Sequence, residues 1–175
     1  MNKCLNCKKK YHCCIAQPSK GYIFVGVNEA KRIKNKTKIS YSEFLTFSKL
    51  DKKLASESKK DSPYSEAKLR ADLMIDGRIL RMKVDKNGKC VFLKDGKCSI
   101  YKHRPLICQM YPFWFNKEFE LIHHPSLVHC DLIDKDFLMT DREFTQLKKT
   151  AQKIIKEAKI YKKQIKKFAT KNKID

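Results

Sequence analysis

Residues 90–113 read CVFLKDGKCSIYKHRPLICQMYPF, and this stretch sets three cysteines among turn-forming and aromatic residues. We refer to it as the second cysteine window. The first cysteine window, residues 1–18, holds four more thiols, and an eighth cysteine stands alone downstream. The eight are Cys4, Cys7, Cys13, Cys14, Cys90, Cys98, Cys108 and Cys130. Thiols grouped in this way bind a metal, pair as disulfides or perform redox chemistry, so these windows define the candidate site.

The second window and the residues before it predict a small antiparallel β meander. From Leu80 to Val84, apolar residues alternate with basic ones, which is the period of a half-buried strand. Asn-Gly at 87–88 and Asp-Gly at 95–96 are turn pairs on either side of a strand that begins at Cys90. Cys90 and Cys98 are therefore expected on or beside the strands of this meander.

Shorter elements are predicted around the meander. The Arg-Pro pair at 104–105 leads into a short helix or turn that holds Cys108. Residues 21–27 read as a short strand, after which Asn28 caps a helix that runs through residue 33. The sequence SYSE at 40–43 is a capping-box pattern ahead of several apolar residues.

Two further segments bear on the architecture. Ser-Pro at 62–63 predicts a helix start, and Asp-Gly at 76–77 predicts a hairpin turn; the two alternatives stay open for the residues between them. Residues 141–171 predict a long helix because apolar residues recur every three or four positions. These are Phe144, Leu147, Ala151, Ile154, Ala158, Tyr161, Ile165 and Phe168. The whole predicts an α+β fold, with a cysteine-cluster domain over 1–138 and a separable basic amphipathic helix over 139–175.

Composition limits the compartment and the partners. The chain shows neither an apolar leader segment nor a run long enough to span a bilayer, which predicts a cytoplasmic protein with reduced thiols. A disulfide framework of the kind found in hyperthermophiles is the alternative. The formal charge is +21, and 34 of the 40 basic residues are lysines. That charge attracts nucleic acid, anionic lipid or acidic proteins, unless it is only a solvated surface.

The cysteine spacing favours metal chemistry without fixing the metal. Cys4 and Cys7 have the C-x2-C spacing that lets two thiolates hold one ion from a tight turn. Eight thiols suffice for two four-cysteine zinc sites, or for one iron–sulfur cluster with thiols to spare. The aromatic residues around Cys108 suit a cluster whose solvent access is controlled, and they would equally suit an ordinary core.

The two windows together resemble the YkgJ-type cysteine-cluster family, the zinc- or iron-chelating domain named for its CxxCxxCC motif. The match lies in CVFL at 90–93, CSIYKHRPLIC at 98–108, YPF at 111–113 and the later Cys130. Five residues separate Cys7 from Cys13, where the family motif has about two. Members of this family are often described as iron–sulfur oxidoreductases, and a related branch comprises the flagellin lysine N-methylases.

These observations lead to three hypotheses. The first is an iron–sulfur centre, 4Fe–4S, with its ligands drawn from the eight cysteines, serving electron transfer or redox support. The second is a structural zinc module that binds an anionic partner such as nucleic acid or an acidic protein. The third is an enzyme of the oxidoreductase or protein lysine methylase-like kind. Arg104 is expected to hold a substrate anion, to neutralise the centre or to bond the carbonyls beside Pro105, and His12 or His129 could replace a thiolate.

Overall fold

A computed structural model describes residues 14, 23–49, 73–111, 113–115, 120–123 and 140–174. Within these residues the structure has both helices and short antiparallel strands, grouped rather than alternating, which confirms the predicted α+β class. A 3₁₀ turn at Tyr101–His103 lies just before the short helix that begins at Leu106. The elements are α1 (Val27–Thr37), α2 (Tyr41–Phe44), β1 (Leu45–Lys49), β2 (Arg78–Met82), β3 (Leu93–Lys94), β4 (Lys97–Cys98), α3 (Leu106–Met110), β5 (Phe113–Phe115), β6 (Leu121–His123) and α4 (Asp141–Lys171).

The described strands pair two by two. β1 pairs with β2, β3 with β4 and β5 with β6, all antiparallel. The alternation around Leu80 is confirmed as strand β2, and its partner β1 lies more than thirty positions earlier in the chain. A single bridge between Val84 and Cys90 connects the region of β2 to that of the β3–β4 hairpin. The predicted meander is therefore divided into separate two-stranded ribbons.

The start of α1 differs from the prediction by two residues. Asn28 was expected to cap the helix, but the N-cap is Gly26, and the helix continues past residue 33 to Thr37. The reason is Glu29, whose carboxylate accepts the backbone N–H of Gly26 at 2.7 Å and so closes the first turn earlier. Asn28 instead donates its side-chain amide to Glu157 of α4. Of the strand expected at 21–27, the described part forms a bridge from Phe24 to Arg81.

Two local turn predictions are confirmed. Ser40 caps α2 with Glu43 in a capping box, although this helix is one turn long and the apolar residues after it continue as β1. Asp76 and Gly77 have φ angles of 51° and 73°, so they form a two-residue turn. Leu73 is helical and directly precedes this turn region, so a helix end and a hairpin turn both occur here. The helix start predicted at 62–63 lies outside the described residues.

The long helix α4 has the predicted bounds and joins the core. Thr140 caps it by accepting the N–H of Glu143 at 3.2 Å. Phe144 was expected on the buried stripe but is 37% exposed, because the stripe meets the body of the protein only from Leu147 onward. The Tyr161 hydroxyl accepts the backbone N–H of Leu80 at 2.8 Å, which ties α4 to β2. The division into domains 1–138 and 139–175 stays a prediction.

The buried stripe faces a core that the other elements share. Phe44, Ile79 and Ile165 are fully buried in one cluster of apolar side chains. Phe168 of α4 meets Tyr41 of α2 edge to face, with ring centroids 4.9 Å apart. The helix also packs against α1 and α3, and so lies beside the element that carries Cys108. None of the helices in the described residues is long and apolar enough to cross a membrane.

Candidate metal centre

Four of the eight candidate ligands lie among the described residues. Cys90 is buried, and Cys14, Cys98 and Cys108 are half-buried. The described residues bring no group of three or more His, Cys, Asp or Glu side chains into a metal-holding arrangement. The other four candidates, Cys4, Cys7, Cys13 and Cys130, lie outside the described residues, as do His12 and His129.

A tight hairpin presents Cys98. Asp95 and Gly96 link β3 to β4 with φ angles of 48° and 72°, the conformation of a two-residue hairpin turn, for which Asp-Gly is a favoured pair. The turn sets Cys98 directly opposite Leu93 in the register. Ser99 then donates both its backbone N–H and its hydroxyl to the carbonyl of Phe92, at 2.9 and 3.0 Å. The Asp-Gly turn on one side and the bonds of Ser99 on the other therefore fix the position of Cys98 in the β3–β4 hairpin.

A second turn presents Cys90 and seats the first window. The Asp85 carboxylate accepts the N–H groups of Asn87 and Lys89, each at 2.8 Å, which closes the predicted Asn-Gly turn. Cys90 follows directly, and its backbone N–H donates to the carbonyl of Cys14 at 2.8 Å. This bond joins the first cysteine window to the second through the backbone.

The side chains of the two windows also meet. The Cys14 thiol hydrogen-bonds the sulfur of Cys98, and this bond is the largest cause that lowers the pKa of the Cys98 thiol to about 7. Burial opposes the shift, while the backbone N–H of Ile100 and the charge of Arg104 reinforce it. Because the thiolate is the form that binds metals, the lowered pKa favours Cys98 as a ligand. One thiol from each window is thus brought into contact.

Arg104 lies beside this thiol pair, and one N–H group of its guanidinium donates no hydrogen bond within the described residues. Its guanidinium stacks on the ring of Tyr101, 3.9 Å from the ring centroid. Its Nε is buried and has no hydrogen-bond partner among the described residues. The carbonyls beside Pro105 are bonded by other side chains: Arg32 donates to the carbonyl of Arg104 at 3.1 Å, as does the Gln109 amide at 3.0 Å. The expectation that Arg104 serves these carbonyls is therefore wrong.

Cys108 lies on α3, and α1 holds that short helix in place. The carboxylate of Glu29, which is 8% exposed, accepts the backbone N–H of Leu106, the first residue of α3. Arg32, one turn further along α1, donates to the carbonyl of Arg104 just before α3. The prediction of a short helix holding Cys108 is confirmed. Sequence reasoning missed Glu29 and Arg32, because no local pattern marks a contact across more than seventy positions.

The donor chemistry fits a thiophilic metal. Two thiols in contact, one of them with a pKa near 7, are soft ligands of the kind that zinc and iron take up. The unpaired Nε of Arg104 is a hydrogen-bond donor suited to a thiolate or sulfide that carries negative charge. The described residues bring two of these thiols, those of Cys14 and Cys98, into contact.

Comparison with known proteins agrees with this donor set. A family model matches residues 3–150, and its description reads "CxxCxxCC: Putative zinc- or iron-chelating domain". The chain belongs to this family. It is a cysteine-cluster domain of the zinc- or iron-chelating kind, which confirms the resemblance seen in the two windows.

A curated relative matches a smaller part of the chain. The uncharacterized protein MJ0661 of Methanocaldococcus jannaschii is 43% identical over 53 residues. The matched stretch covers 29% of this chain and 29% of that relative. No solved structure matches the chain significantly.

Proposed function

We propose that this protein carries an iron–sulfur centre, 4Fe–4S, bound by thiolates from both cysteine windows, and that it serves electron transfer or redox support. The observation that carries the proposal is the contact between Cys14 and Cys98, one thiol from each window. A cluster bound there would take up and release electrons, while the protein would set its potential and its access to solvent.

The residues around the thiol pair suit that role. Phe92, Ile100 and Met110 are buried close to Cys98 or Cys108 in sequence, so an apolar layer accompanies the thiols. Arg104 adds one positive charge and a free donor, which would favour the reduced, more negative state of a cluster. A single cluster would use four of the eight cysteines as ligands. The candidates are Cys4, Cys7, Cys13, Cys14, Cys90, Cys98, Cys108 and Cys130.

A zinc module is the second candidate, and the same thiols support it. Zinc would hold the two windows together without redox chemistry, and the function would then rest on the lysine-rich surface and an anionic partner. Elemental analysis and an absorption spectrum of anaerobically purified protein separate the candidates. Iron with sulfide, and broad absorption in the near-ultraviolet and visible that bleaches on reduction, supports the cluster. Stoichiometric zinc without iron, after expression with ample iron and sulfide, overturns it.

Single substitutions test the ligands. Cys14→Ser and Cys98→Ser should each lower the bound metal and the melting temperature, because thiolate ligation contributes to folding. Cys7→Ser extends the test to a residue outside the described ones. Ser99→Ala is the matched control: it removes a polar side chain next to Cys98 but no thiol, and should keep the metal. Full metal content in all three cysteine variants would show that the centre lies elsewhere.

A further inference from the structure

The outward side of α4 carries a continuous field of positive charge. With about 100° between successive residues, nine exposed lysines fall within a sector of about 140°, opposite the buried stripe. The sector extends for about 35 Å along the helix axis, at 1.5 Å per residue. We call it the lysine face; its members are Lys148, Lys149, Lys153, Lys156, Lys159, Lys163, Lys166, Lys167 and Lys171.

The positive charge of the lysine face has few acidic side chains near it to neutralise it. Between residues 148 and 171 the sequence has one acid, Glu157, which lies at the flank of the helix and accepts the Asn28 amide at 3.0 Å. The Lys166 ammonium forms an ion pair with the Asp76 carboxylate at 2.7 Å. Among the described residues, no other lysine of this face has an ion pair. A solvated helix surface usually intersperses Glu and Lys at i,i+4, whereas Lys159, Lys163 and Lys167 repeat one charge at that spacing. Such self-repulsion is relieved by a polyanion.

The mode of binding follows from the buried stripe. An amphipathic helix that lies in a membrane inserts its apolar face between lipids, but here that face is covered by the core. The lysine face contains one apolar residue, the half-buried Ile160, so it offers nothing to insert. Lysines act as point charges on phosphates, and the arginines that read bases bidentately are absent from this face.

We infer that the lysine face is a nucleic-acid-binding surface that contacts the phosphate backbone without reading sequence. An α-helix of this length presents its charges along a rigid line, as a duplex presents its phosphates. The inference is independent of the metal proposed above, since the lysine face points away from the core side on which α3 packs. Metal-free and metal-loaded protein should therefore bind alike.

The test compares two variants of the full-length chain with equal net charge. The first changes four lysines at the centre of the lysine face to glutamine: Lys149, Lys156, Lys163 and Lys167. The second, the matched control, changes four exposed lysines on α1 and the 85–89 turn: Lys31, Lys36, Lys86 and Lys89. Glutamine has nearly the helix propensity of lysine, so both variants should keep the parent's circular dichroism spectrum. Fluorescence anisotropy with a labelled duplex DNA of mixed sequence, over a salt series, measures binding.

The first variant should bind DNA at least about tenfold more weakly than the parent. The slope of log Kd against log salt concentration should fall by about three to four, since each lost phosphate contact lowers that slope by about 0.9. The control should stay within about threefold of the parent. A Lys→Arg version of the first set, which retains the charge, should bind like the parent. Equal weakening in both glutamine variants would assign the effect to net charge and overturn the proposal. So would a parent that fails to bind DNA, or one that binds phosphatidylserine-containing vesicles but not DNA.

Discussion

Replacing Glu29 with alanine removes the carboxylate that joins α1 to the helix of Cys108. That carboxylate accepts two backbone N–H groups, from Gly26 at 2.7 Å and from Leu106, and it is 8% exposed. Alanine leaves both donors buried and unpaired, at about 1–3 kcal/mol each, or about 2–6 kcal/mol in all. We expect the lower half of that range, since the cost of burying a carboxylate is removed at the same time.

That loss is large against the ~5–15 kcal/mol that stabilises a typical domain. For a chain of this size, a loss of about 2–4 kcal/mol corresponds to a fall in Tm of roughly 4–16 °C. If Cys108 is a ligand, the loosened α3 should also release metal faster. Glu29→Gln keeps one acceptor and should cost less than alanine. Glu43→Gln is the control, because that carboxylate forms a comparable capping box on α2 at the surface.

The pH dependence of this effect has a defined sign. Burial is the main cause that raises the pKa of Glu29 above its ordinary value of 4.5, and the charge of Glu157 adds to it. The backbone bonds from Leu106 and Gly26 and the charge of Arg32 oppose the rise. Because the pKa of Glu29 is higher in the folded state, its contribution to the free energy of unfolding is fully present below about pH 4.5. That contribution is lost as the pH rises through the folded-state pKa.

Thermal unfolding of the parent and the glutamine variant between about pH 4 and about pH 8 checks this sign. Because glutamine does not titrate, the stability of the parent relative to the glutamine variant should be greatest at the acid end of the range and should decrease as pH rises. An alanine variant that melts with the parent would refute the hydrogen-bond argument. A parent-to-glutamine difference that is constant over the pH range would refute the raised pKa.

Three further predictions follow from single contacts. Tyr161→Phe should cost about 1–3 kcal/mol in urea unfolding, because it leaves the buried N–H of Leu80 without an acceptor; an unchanged free energy of unfolding would contradict this. In metal-free protein, alkylation of Cys98 should reach half its maximal rate near pH 7, with Cys90 slower because it is buried, as peptide mapping by mass spectrometry can show; modification of Cys98 only at alkaline pH would contradict the shifted pKa. Deletion of residues 141–175 should abolish cooperative thermal unfolding, because the core loses one wall; a truncated protein with the parent's melting curve would support the two-domain division.

Features that depend on near neighbours could be predicted from the sequence. The bounds of α4 follow from a 3.5-residue repeat that is unbroken over many turns, together with a threonine cap. The Asp-Gly turns at 76–77 and 95–96 follow from the ease with which these residues adopt positive φ. Each of these signals lies within a few positions of the structure that it specifies.

Features that depend on distant partners could not be predicted. The apolar residues after Ser40 fit a helix as well as a strand, and β1 is a strand because β2, more than thirty positions later, pairs with it. Glu29 looks like an ordinary first-turn glutamate of a helix, and its second acceptor role appears only when Leu106 approaches. Phe144 fits the period of the stripe, but the stripe extends beyond the surface that it covers.

The same limit explains what the cysteine spacing left open. The C-x2-C pair and the second window each indicate metal chemistry, but no spacing rule pairs Cys14 with Cys98 across more than eighty positions. Within the part of the chain that the structure describes, the windows meet in the backbone bond from Cys90 to Cys14 and in the contact between the thiols of Cys14 and Cys98. A metal held by thiolates of both windows would add folding free energy at this junction, so metal loading should raise the melting temperature of the protein.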